Sequence, residues 1–191
     1  MPIPLGVLAV AGAGAAGGGA FDLLETTVLG SDTASVTFSN LNNYSSYKHL
    51  QVRIVARDTN SFASTIRDLN MRFNSDSGSN YFGHELIGDP SAPGVFSQSL
   101  GNTSRIRARA TIDDTATANV FVASVWDILD FNNTSKNKTV RILSGTNQGT
   151  TDARIVLSSG AWNNTAAITT ITITGADLHK AGSRFSLYGI R

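Results

Sequence analysis

The side chains able to do chemistry are few and scattered. Across 191 residues there are three histidines and no cysteine, so thiolate nucleophiles, cysteine metal sites and disulfides are removed in one step. His84 and Glu85 adjoin in FGHELIG and form the most suggestive pair. No HExxH pattern follows, so the helical zinc site is missing. His49 falls in YKHLQV, opposite Leu50 on a strand, and His179 lies in a polar turn before the last strand. Isolated histidines on scattered strands do not make a metal site. Glycoside hydrolysis would need paired carboxylates. The candidates are Asp113, Asp114, Asp127 and Asp130, all at turns or strand ends where a charge simply meets solvent. RIRAR puts Arg105, Arg107 and Arg109 on one face. Without interleaved aromatics this is not a nucleic-acid surface; a subunit contact or a blunted sheet edge fits better.

One motif with a mechanism does occur. GVLAVAGAGAAGGGAF contains G-x-G-x-x-G at Gly12, Gly14 and Gly17. A dinucleotide site needs a helix to start inside that motif and a βαβ unit around it. Here Gly18 and Gly19 follow, each costing about 1 kcal/mol in a helix interior relative to alanine, and no second βαβ pattern appears. No cofactor is expected. From Ile3 to Phe21 no side chain is charged. No Lys or Arg precedes that run, as a secretory leader would require, and its Gly/Ala content is weakly hydrophobic for a membrane span. Residues 1–20 therefore read as an anchoring arm. Ile3, Leu5, Val7, Leu8 and Val10 supply apolar area for a partner surface, and the glycines permit close approach.

The elements that must position everything else are strands. ASVTFSNL alternates Val36 and Phe38 with polar residues, and YKHLQVRIVAR places Leu50, Val52, Ile54 and Ala56 on one face. RDLNMRFN repeats the pattern with Leu69, Met71 and Phe73. Period-two alternation of this kind marks half-buried antiparallel strands. A short strand over Asn80 to Ile87 sits in a long loop region, 75–104, dense in Gly, Ser, Pro and Asn; long loops are common binding sites. NVFVASVWDILDF is apolar on both faces, which predicts a central strand covered on both sides, with Trp126 in the core. KTVRILSGT, DARIVLSSGAW, AAITTITITG and SRFSLYGI follow at regular spacing, and GADLHKAG reads as a short helical turn. Nine or ten strands about ten residues apart predict an all-β protein. The expected architecture is an antiparallel, jelly-roll-like β-sandwich over 21–191 behind the extended Gly/Ala-rich arm.

Composition points the same way. Only 15% of residues are charged and the net charge is +1, so neither nucleic acid nor a membrane surface is an expected partner. No constellation of catalytic residues is assembled, and no enzymatic activity is expected. Exposed sheet edges predict a homo-oligomer, a trimer or dimer. If sugars were bound, Tyr81, Phe82, His84 and Trp162 beside the long loop would supply stacking surfaces.

FDLLETTVLGSDTASVTFSNL, YKHLQVRIVAR, NSDSGSNYFGHELIGD and the closing FSLYGI resemble the small decoration or fibre-like structural proteins of tailed bacteriophages, especially those of marine and cyanobacterial hosts. The likeness runs from Phe21 to Ile190 and brings no catalytic residues. It implies a virion protein assembled in the host cytoplasm, where the lack of cysteine is at home. Its partners would be other capsid or tail proteins, with a capsid decoration, cement or head-fibre role first. A tail-fibre or receptor-binding module for host glycan is the alternative.

Overall fold

The computed structural model describes residues 19–61, 66–89, 92–147 and 153–191. Within them the chain runs β1 (Phe21–Val28), β2 (Thr33–Phe38), a 3-10 turn (Leu41–Tyr44), β3 (His49–Ala56), β4 (Ile66–Phe73), β5 (Tyr81–Asp89) and β6 (Ala92–Thr103). It continues with β7 (Ile106–Ile112), β8 (Val122–Leu129), β9 (Lys138–Asn147), β10 (Ala153–Trp162), β11 (Ile171–His179) and β12 (Arg184–Ile190). The strands form a large sheet ordered β1-β12-β3-β8-β9-β10-β5-β6 and a small one ordered β2-β11-β4-β7. All named strand pairs are antiparallel. The chain is an all-β sandwich, as its alternation predicts, divided eight strands to four.

Alternation explains the core. Leu50, Val52 and Ile54 of β3, Trp126 and Ile128 of β8, and Val140 and Ile142 of β9 all point inward. From the small sheet Phe38, Leu69, Met71, Phe73, Ile106 and Ile173 meet them. Trp126 is fully buried, as expected, and its indole donates to Ser124 Oγ at 2.6 Å. The two sheets approach so closely at Gly160 of β10 that a Cβ there would lie 2.6 Å from Ile106 Cγ2 of β7. Only a glycine leaves room for that contact.

Four expectations are corrected. Most of the segment read as a long loop is a hairpin, β5 paired with β6, since backbone pairing outweighs its Gly and Pro content. FDLLETTV, to which the sequence reading assigns no strand, pairs along β12 as an edge strand with a register shift between Leu23 and Glu25. GADLH of the GADLHKAG segment is instead the end of β11, bent by an irregularity between Thr174 and His179, and only KAG turns toward β12. β8 is central, between β3 and β9, but only its inner face is covered by described residues; Ala123 and Leu129 are exposed on the other.

Candidate functional site

Apart from His84, the residues able to do chemistry are built into the fold. His49 Nδ1 accepts the backbone N–H of Asp130 at 2.9 Å. The Asp130 carboxylate takes Lys136 Nζ at 3.0 Å, and that bond holds its pKa below the usual carboxylate range. Asp127 accepts Gln51 Nε2 at 2.7 Å and Arg141 Nη2 at 2.8 Å. Asp113 is buried, accepts from Thr115 and pairs with Arg67 at 3.1 Å. Asp114 is gripped by Lys180 and Arg57, the lysine first among the causes that lower its pKa. His179 is buried at 4.9 Å from the Phe185 ring, and burial lowers its pKa. His84 and Glu85 point to opposite faces of β5, His84 exposed and Glu85 buried, so they do not act as a pair. Among the described residues no group of three or more His, Cys, Asp or Glu is placed to hold a metal ion.

The aromatic candidates divide. Tyr81 and Trp162 are core residues, not stacking platforms. Their rings stack at 6.2 Å, Trp162 Nε1 donates to Asp76 Oδ2 at 2.7 Å, and burial pushes the Tyr81 hydroxyl up to about 12. Their register on β5 and β10 puts them inward; Phe82 and His84 face out. Arg107 lies on β7, the edge of the small sheet, and Arg105 in the bend just before it. Arg105 is exposed and Arg107 reaches Asp68 at 3.5 Å; the Arg109 side chain lies outside the described set. Ile3, Leu5, Val7, Leu8 and Val10 also lie outside the described residues.

What the structure brings together is apolar. The outer face of the large sheet carries two adjacent rows that run across the strands. In the first, Leu86 (β5), Leu157 (β10), Leu143 (β9) and Val125 (β8) stand side by side in register. In the second the sequence is Gly88, Ile155, Gly145, Ala123 and Val55. Ile155 is 66% exposed and Leu143 55%. Beside Ile155 the face sinks into a trough of about 480 Å³, with Gly88, Gly145, Ala123 and Phe121 in its lining. A polar row borders this field: His84, Ser159, Arg141, Asp127 and Gln51. Arg53 lies between the Tyr188 and Phe21 rings, 4.3 and 5.2 Å from their centroids, and donates to Gln51 Oε1.

This surface can do one thing well, which is to exclude water against another surface. Each large apolar side chain fully buried contributes about 1.5–3 kcal/mol, and a contiguous apolar field of this kind marks an interaction site. Sequence reasoning missed it. The available signal was the doubling of apolar residues in Leu86-Ile87, Ile142-Leu143 and Ile155-Val156-Leu157, which breaks strict alternation. Compared with family models, curated proteins and solved structures, the chain matches none.

Proposed function

We propose that this chain is a non-enzymatic structural protein of a tailed-phage virion, a capsid decoration, cement or head-fibre component anchored through residues 1–20. One observation carries the reading. The uncharged leader runs directly into β1, an edge strand whose Phe21 and Leu23 are exposed. An apolar segment continuous with an exposed apolar edge gains most by docking on a partner. The backbone entropy of ordering it, about 1–2 kcal/mol per residue, is offset only where that partner supplies many contacts. The engagement of the candidate acids and histidines in fold-holding bonds agrees with a structural role.

The test is incorporation. The full chain should be found in purified particles, and a chain lacking residues 1–20 should keep its β-sheet circular dichroism but fail to join them. Equal incorporation of the truncated chain would refute anchoring by the arm.

A further inference from the structure

We infer that the outer face of the large sheet is a homodimer interface, in which two copies pack face to face about a twofold axis. Ile155 of each copy enters the notch over Gly145 of the other. The inference deepens the structural reading but needs no virion, so its failure and a failure of particle incorporation are separate results.

The glycines come first. Glycine weakens a strand interior and marks a close approach of something to the backbone. Gly160 has such a reason in the chain itself, because Ile106 fills the place of its Cβ. Gly145 does not. An added Cβ there would meet nothing nearer than Arg154 O at 3.9 Å, and its backbone is not in the left-handed region. Gly88, on the far side of Ile155, is equally open, with only Ile155 O at 3.9 Å. Both glycines face outward into the trough. No described residue accounts for their lack of side chains; a body approaching from outside would.

The shape then selects the occupant. A twofold interface must be self-complementary: if residue i of one copy touches j of the other, j also touches i. Ile155 and Gly145 are register partners on neighbouring strands, the most exposed large apolar side chain beside a notch. A twofold axis between them exchanges knob and notch and seats both. The same operation lays the Leu86-Leu157-Leu143-Val125 row of each copy beside that of its partner. Size and charge agree. Five strands about 4.8 Å apart, each spanning about seven residues at about 3.4 Å with about every second one facing out, make a face of about 600 Å² in plan. A standard interface takes about 800 Å² from each partner, and side-chain relief adds to the planar figure. The bordering row carries Arg141 and Asp127, which pair with each other at 2.8 Å within the chain, so the row brings no unpaired charge against a second copy.

Sedimentation of the full chain tests this. The wild type should be a dimer. Gly145→Leu fills the notch and Ile155→Ala removes the knob without adding charge, and each should raise the dissociation constant about tenfold or more, as interface anchors do. Leu143→Glu should give monomer. The Gly145 site has room for a side chain, so Gly145→Leu should keep the wild-type circular dichroism; Ile155→Ala serves if it does not. A monomeric or trimeric wild type, or unchanged dimerisation in both Gly145→Leu and Ile155→Ala, would overturn the proposal. So would a wild-type monomer that dimerises only after residues 1–18 are deleted, because the arm would then be the cover.

Discussion

The two sheets share one core but turn different faces outward. On the small sheet the outward side chains are polar and largely engaged: Thr37 and Thr172 hydroxyls lie 3.2 Å apart, Arg72 donates to the backbone oxygen of Ser104, and Arg107 meets Asp68. On the large sheet the middle of the outward face is Leu, Ile and Val with glycine between. Inner-facing positions are mainly apolar in both, with Glu85, Ser124, Ser144 and Ser158 as buried polar members in the large sheet, so the sharper contrast lies in what each sheet looks out on. A polar outer face is complete in water, whereas an apolar one is complete only when something else covers it.

Adjacent residues of β9 offer the sharpest way to break that contrast. Ile142 faces the core and Leu143 the outside. Ile142→Ala should destabilise the fold by about 2–5 kcal/mol, the range for truncating a buried aliphatic; chemical denaturation measures it, and a loss below about 1 kcal/mol would mean the faces are misassigned. Acid comes next. His179 belongs to the small sheet and is buried against Phe185 of the large one, with Asp58 as the charge that partly offsets the cost. Burial keeps its pKa below the ordinary 6.5, so as pH falls the unfolded chain takes up the proton first. Its contribution is complete above pH 6.5 and is lost progressively below it. Melting temperature should therefore fall on mild acidification, and His179→Gln should flatten that slope; an unchanged slope would remove His179 from the account. Leu143→Ala should be the smallest effect, within about 0.5 kcal/mol for the dilute monomer, as for other surface changes.

The legible part of the fold was the part with a single buried face. The sequences of β3 and β4 alternate cleanly, and the apolar residues that the alternation marks are the buried ones. β1 and β6 were missed because edge strands are held by backbone pairing on one side, which side-chain pattern barely records. β8 shows the more instructive difference. Its two apolar faces are real, but the described residues cover only one. Under the proposed dimer the second face would be covered by the partner copy, which a single chain does not contain. The same reasoning explains Tyr81 and Trp162: their rings look like a sugar platform until register turns them inward beside Phe73. The candidate surface itself was written in doubled apolar residues and two unexplained glycines, signals that acquire meaning only once strand neighbours are known.

The central claim is that the large sheet's outer face is covered by a second copy and the small sheet's is not. Because the chain has no cysteine, one cysteine can be placed on either face of the full-length protein and treated with a short bis-maleimide cross-linker. Leu157→Cys, near the proposed axis, should yield covalent dimer at dilutions where Ser35→Cys, on the small sheet's outer face, yields none. Equal cross-linking of both, or of Ser35→Cys alone, would contradict the account.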